Sequence, residues 1–378
     1  PGAPRVVVYG HYDVQPPGDP ALWTSPAFEP TVRDGNLYAR GASDDKGNLF
    51  MLIAAVQRLA EAGELTVRAA FVVEGEEESG GDSALDHFAA DTEPALAAVI
   101  FDSPMVAPER PAICTGVRGM VYRRIRVRSA AADAHSGLFG GAAMNAAHAL
   151  MAVLAAVTPR DGRLPDALYA GVAPAGPAEV AAWDDLPPGG SALAEAGLRP
   201  ADPGAAEGFY MRTLASPSLD VHGLGCGEPG AVKTNIPGEA VATLSLRLAP
   251  GQDAPHVAAA LDDLLRAALP DGAQMTIEDL GVALPAALDA AHPVLVAAAE
   301  GMERGTGWRP VPVRLGGTLP VVAVLAARGI PTVLTGFGLP DDGIHGPDEH
   351  LRVAHLETGT RAAMEMLRAL GALGGHPT

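Results

Sequence analysis

Histidines and carboxylates recur in this chain at short spacings: His11-Tyr12-Asp13, Asp44-Asp45, Glu77-Glu78, Asp102 and His345. Each alone has an ordinary reading. Asp44 or Asp45 can cap a helix starting near Lys46, Asp13 can be a turn residue, and EGEEESGG can be an exposed acidic turn. Gathered in one crevice, however, such carboxylates repel each other unless a cation neutralises them. The mixture of imidazole and carboxylate suits zinc, with manganese or cobalt as alternatives. Three carboxylates and a hydroxide balance two divalent ions, and neutral histidines add ligand strength without charge, so a dinuclear site is the neutral solution.

The flanking elements say whether these residues can meet. Residues 5–9 (RVVVY) form a β-branched run bounded by Pro and Gly, which reads as a buried strand ending at Gly10-His11. After Asp44-Asp45 the periodicity predicts a helix over 46–62, stopped by Gly63. Residues 66–74 and 97–102 are further apolar runs ending in acidic residues, with a helical SALDHFAA between them. This strand–helix–strand order predicts an α/β sheet whose ligand site lies beyond the carboxyl ends of its strands. His11, Glu77, Glu78 and Asp102 all fall there.

From Met120 the pattern changes to alternation (MVYRRIRVRS), predicting an antiparallel sheet with one wet face. A helix over 145–157 follows, then an Ala/Gly/Pro-rich tract to Pro217 that reads as a long loop or a set of short helices. Strands are expected at 218–224 and 241–248 and an amphipathic helix at 255–268. After Arg314 the α/β character returns: LPVVAVLAARG as a helix, PTVLTG as a strand, the DDGIHGPDEH loop and a helix over 353–370. The expected organisation is a catalytic domain from 1–115 and 315–378, interrupted by an inserted α+β domain over 116–314.

At 378 residues the chain is long enough for two domains, and a hydrophobic share of 48% with 19% charged residues is globular, far from the signature of disorder. Lys and Arg number 26 against 45 Asp and Glu, a net charge of −19 that repels phosphate backbones and anionic lipids. Nucleic acid and membrane surfaces are therefore not expected partners. Two cysteines, Cys114 and Cys226, allow at most one bridge, and the cytoplasm is the default location. The chain opens Pro1-Gly2-Ala3-Pro4 and enters a strand almost at once, so its natural N-terminus is expected to be missing.

The strings HYDVQP, YARGASDDKG, VVEGEEESGG, FDSP, DAHSGLFGG, GGTLP and DDGIHGPDE run in order over nearly the whole chain. Together they resemble the co-catalytic zinc peptidases that include carnosine-type dipeptidases, glutamate carboxypeptidase, acetylornithine deacetylase and succinyl-diaminopimelate desuccinylase. EGEEESGG, HSGLFGG and GIHGPDE look most like the dipeptidase branch. The resemblance implies a mixed-sheet α/β/α catalytic domain with an inserted α+β lid that dimerises.

It also implies that His11, Asp44 and Asp102 hold one divalent metal while Asp44, Glu78 and His345 hold another, with Asp44 bridging. Glu77 resembles the general base, and Asp13 the carboxylate that orients the His11 imidazole. The peptide between Asp44 and Asp45 is cis in such relatives. His135 of DAHSGLFGG resembles a lid histidine that polarises the scissile carbonyl of the other subunit, an oxyanion-hole role; a plain cap on the Ser136-Gly137 turn is its ordinary reading. Thr234, Asn235 and Arg247 resemble positions holding the substrate carboxylate, and Gly316-Gly317-Thr318 the loop lining the cleft.

Two departures stand beside the match. Dipeptidase relatives carry an acidic residue before the Gly-Gly loop to pair with the substrate's amino group, where this chain has Leu315. They also begin with a further helix pair and strand, so one edge of the catalytic domain is expected to be uncovered. The function expected is metal-dependent hydrolysis of an amide bond next to a free carboxylate, in dipeptides or short peptides. Deacylation of N-acyl or N-carbamoyl amino acids is the alternative, and a non-catalytic binding protein is the alternative of another class.

Overall fold

The computed structural model describes residues 2–184, 186–227 and 233–374. The chain divides into two compact units, one of residues 2–116, Leu288–Leu315 and 321–374, the other of Val117–Ala287 with Gly316–Pro320.

The first unit is built on a four-stranded sheet in the order Thr332–Thr335, Ala97–Phe101, Arg5–His11, Arg68–Glu74, parallel throughout. The β-branched run of Arg5–His11 lies inside the sheet with every residue buried, as does AAVIF in Ala97–Phe101. Arg68–Glu74 is different, because it lies at an edge: Phe71 and Val73 are 39% and 41% exposed. His11 pairs with Glu74 in register, and Tyr9 with Ile100, so the carboxyl ends of these strands are level with one another. Helix Asn48–Glu61 buries Met51, Leu52, Ala55 and Leu59 against Val6, Val8, Val99 and Phe101. Its first turn starts two residues later than the periodicity predicts, because residues Ala42–Gly47 form a wider turn in which Asp44 has extended dihedrals. A small antiparallel sheet of Thr31–Arg33, Asn36–Tyr38 and His350–Arg352 ties the segment before Asp44 to the segment after His345.

The second unit carries the antiparallel sheet in the order Gln274–Ala283, Gly119–Arg128, Glu239–Leu248, Ser218–Cys226. Val121, Ile125 and Val127 point inward with Leu244 and Leu246, and the helices Ala146–Ala155 and Ala254–Ala267 cover them. The Asn145 side chain caps the first of these, accepting from Ala147 N at 2.8 Å. The wet face carries Arg124, Arg126 and Arg128, matched by Glu278 and Glu239. Between Pro159 and Pro217 the chain forms short helical segments, among them Pro177–Trp183 and Gly189–Glu195. Cys114 and Cys226 are both free. Among the described residues no helix is long and apolar enough to cross a membrane.

The expected domain boundary at residue 314 needs correction. Helix Pro293–Thr306, which the sequence reading did not identify, packs within the first unit against helix Val353–Gly374, and Leu288–Leu315 goes with it. Only Gly316–Pro320 belongs to the second unit beyond residue 287. The contact is backbone-close: a Cβ on Gly301 would stand 2.7 Å from Met366 Cα, and one on Gly305 2.7 Å from Ala362 Cα. Exposed helical glycine usually gains about 0.5–1 kcal/mol on replacement by alanine. Here the sign should reverse, with Gly301→Ala lowering stability by about 1–3 kcal/mol through overpacking, measured as a fall in the urea midpoint at unchanged slope.

Candidate metal centre and active site

The parallel sheet delivers three of the chemical residues. His11 is the last residue of its strand and 1% exposed. Asp102 directly follows Ala97–Phe101, its backbone N–H bonded to Thr335 O at 2.8 Å. Glu77 and Glu78 open the short turn Glu77–Ser79 just past Arg68–Glu74. Two loops bring Asp44 and His345 to the same place: Asp44 Oδ1 is 3.0 Å from His11 Nε2 and Asp44 Oδ2 is 3.0 Å from His345 Nε2. Glu78 Oε1 lies 3.3 Å from the same His345 nitrogen. One carboxylate thus stands between two imidazoles. The peptide linking Asp44 to Asp45 is cis.

Neighbouring groups hold these side chains. Asp13 lies beside the His11 ring, with Nδ1 at 3.3 Å from its carbonyl and 3.4 Å from Oδ1, while its Oδ2 accepts from the Glu78 backbone N–H at 2.9 Å. Gln15, which the sequence reading passed over, donates to Glu78 Oε2 at 2.8 Å. Asp45 is 1% exposed; its Oδ2 takes the His11 backbone N–H at 3.3 Å, and its Oδ1 has no hydrogen-bond partner.

The electrostatics test whether cations belong here. Burial, reinforced by the charge of Asp44, pushes the Asp102 carboxyl up to about 7. Burial and then the charge of Asp102 push Glu77 up to about 8, and burial with Asp102 holds Asp45 well above the carboxylate range. Burial opposes a charge on His11, but the hydrogen bond to Asp44 and the charges of Asp102, Asp45 and Asp44 outweigh it and raise the imidazole to about 10. Protons therefore compensate a crowd of acids that cannot all ionise on their own. Among the described residues, two sets of ligand atoms each lie within 4.8 Å of one another: His11, Asp44 and Asp102, and Asp44, Glu78 and His345. Carboxylate oxygens and imidazole nitrogens in that arrangement are a donor set for divalent ions, so the residues present fit a metal pair that shares Asp44.

The remaining candidates lie in the second unit and fall into two groups. His135 pairs with Asn235 between the strands Ala134–His135 and Asn235–Ile236, and Ser136 Oγ donates to Thr234 O at 2.6 Å. His135 does cap the turn that follows, its Nδ1 accepting from Gly137 N at 3.0 Å. With Nδ1 taken up as the acceptor, Nε2 is the ring nitrogen left to donate. In the other group Arg247 Nη1 donates to Thr318 Oγ1 at 2.8 Å. Arg118, also missed in the sequence, holds the same loop by Nε to Gly316 O at 2.8 Å and its backbone N–H to Gly317 O at 3.1 Å. Burial, with Arg247 nearby, lowers Arg118 to about 10.

Comparison with known proteins gives a consistent picture. Residues 7–369 match the model of peptidase family M20/M25/M40. The cysteinylglycine-S-conjugate dipeptidase of Corynebacterium striatum is 30% identical, over 98% of this chain and 82% of that protein. The human Beta-Ala-His dipeptidase is 29% identical, over 94% of this chain and 73% of its own length. Among solved structures, the dipeptidase Dug1p of Saccharomyces cerevisiae superposes with a TM-score of 0.78 at 26% identity, covering 98% of this chain and 81% of that one. Human carnosine dipeptidase 1 gives 0.75 at 26% identity, with the same coverage of both chains. With the parallel sheet and its acidic strand ends in place, the chain belongs to peptidase family M20/M25/M40 and is a metallopeptidase, an enzyme that hydrolyses peptide bonds.

Proposed function

We propose that this metallopeptidase is a dipeptidase that cuts the peptide bond next to a free carboxylate, with Glu77 as general base. The observation that carries this reading is Asp44, with His11 on one oxygen and His345 on the other, beside a Glu77 carboxyl lifted towards neutrality. The relatives matched over nearly the whole chain are named for dipeptides: cysteinylglycine conjugates and Beta-Ala-His.

Two divalent ions, zinc first, with manganese or cobalt as substitutes, would be held by His11, Asp44 and Asp102 and by Asp44, Glu78 and His345. When bound, such a pair supplies a water acidified towards neutrality and polarises the scissile carbonyl. The protein's own groups do the rest. Glu77 takes the attacking water's proton and returns it to the leaving nitrogen. Asp13 keeps the His11 ring oriented through Nδ1. His135, with Nε2 as donor, is suited to the oxyanion. Thr234, Asn235 and Arg247, with the Gly316-Gly317-Thr318 loop, would take the substrate carboxylate, and the guanidinium of Arg247 suits that anion.

In this reading the enzyme is a homodimer formed through the second unit, each His135 serving the other subunit's site, and it works in the cytoplasm. Leu315 supplies no acid for a substrate ammonium, so recognition of the free amine falls to other groups. Acylated amino acids are the competing substrates that the assay below includes.

Glu77→Gln is expected to keep its metal content and lose about 10²- to 10⁴-fold in kcat, assayed on a panel of free dipeptides and N-acetyl amino acids with products followed by mass spectrometry. Hydrolysis of free dipeptides by the wild type alone supports the dipeptidase; cleavage confined to the acetylated substrates makes the protein a deacylase, and undiminished turnover in Glu77→Gln removes that residue as base. Mixing His135→Ala with Glu77→Gln should restore activity that neither variant has alone, because a mixed dimer contains one site with both groups intact. No recovery under conditions of subunit exchange would place His135 outside the partner's site.

A further inference from the structure

One buried carboxylate outside the ligand set collects four hydrogen bonds. Glu349 is 0% exposed. Its Oε1 accepts from the backbone N–H groups of Ser43 and Asp44, each at 3.0 Å. Its Oε2 accepts from Gly41 N at 2.9 Å and from the Arg40 guanidinium at 2.7 Å. Arg40, itself 3% exposed, also donates to Gly346 O at 3.0 Å. Asp342 forms a second tie: its Oδ2 accepts from Ser43 Oγ at 2.9 Å and from Leu339 N at 2.8 Å, and its carbonyl takes His350 N at 2.8 Å.

These bonds join two loops, one carrying Asp44 and the other His345. The second loop needs an external hold, because His345 sits at φ 64°, a left-handed conformation that a side-chain-bearing residue keeps only where its surroundings impose it. The other metal position is built differently. His11 ends a fully buried central strand and takes its ties from Asp13 and Asp45, and Asp102 is fixed by its backbone bond to Thr335.

We propose that Glu349 is a positioning residue for one of the two metal positions: it locks the Asp44 loop to the His345 loop, so that its loss empties the Asp44, Glu78 and His345 position while the His11, Asp44 and Asp102 position still fills. This rests on the dinuclear reading given above. A carboxylate is required at 349 because all four of its neighbours are donors, and an amide would turn its NH2 towards at least one of them.

The test is zinc titration by calorimetry of metal-free wild type, Glu349→Gln, His345→Ala and His11→Ala, with cobalt absorption as a second readout and urea unfolding of each metal-free protein. Wild type is expected to bind two equivalents. Glu349→Gln should retain the first within a few-fold and weaken the second about 10- to 100-fold, reproducing the isotherm of His345→Ala and not that of His11→Ala. Unchanged binding, or equal weakening of both equivalents, overturns the proposal. Should Glu349→Gln fail to fold, Asp342→Ala removes the acceptor of the second tie and is expected to give the same ordering, and equal weakening or no change there overturns it. Wild type that binds two metals but cleaves no dipeptide defeats the substrate assignment and leaves this result standing, whereas wild type that binds fewer than two overturns both.

Discussion

Carboxylates that face one another in a partly dry crevice raise each other's proton affinity, and much of this site follows from that repulsion. Asp44, Asp45, Glu77, Glu78 and Asp102 crowd between two histidines, and the pressure is visible in Asp102 at about 7, Glu77 at about 8 and His11 at about 10. A folded chain keeps such a cluster only if something positive relieves it. Protons do so without metal; divalent ions would do so more completely, because each would bring two positive charges to a set of three donors. In the proposed arrangement Glu77 would be the carboxyl left free to handle protons, since Asp44, Glu78 and Asp102 would serve as ligands.

The architecture meets the requirement by division of labour. A parallel sheet aligns its carboxyl ends, so His11, Asp102 and the Glu77-Glu78 turn arrive together from strands whose own burial fixes them. Asp44 and His345 cannot come from strands, since both must reach across the same crevice, and they lie on loops tied by buried polar groups. Chemistry placed on loops has to be braced by hydrogen bonds, because loops lack the continuous packing of the sheet.

What could be read from the sequence followed from local signals. RVVVY and AAVIF announced buried strands through continuous apolar runs, and the acidic residues at their ends announced the site. The cis peptide at Asp44 came only through likeness to a family, since nothing in the composition of ASDDKG demands it. Strand Gln274–Ala283 went unread because QMTIEDLGVA lies at a sheet edge and mixes exposed residues of both kinds. Helix Pro293–Thr306 went unread and its residues fell within the expected inserted domain, because its partner, Val353–Gly374, lies far along the chain, and only the close approach at Gly301 and Gly305 reveals the pairing. Gln15, Arg118 and Glu349 escaped for a similar reason: their roles lie in hydrogen bonds to residues 63, 198 and 306 positions away.

The proposed sharing of Asp44 between two cations is the point on which the rest stands, and anomalous X-ray scattering from zinc-soaked crystals addresses it directly. The expected result is two zinc peaks about 3.5–4 Å apart flanking the Asp44 carboxylate, one beside His11 and Asp102 and the other beside Glu78 and His345. A single peak, or peaks that leave Asp44 without a metal on either side, would contradict it.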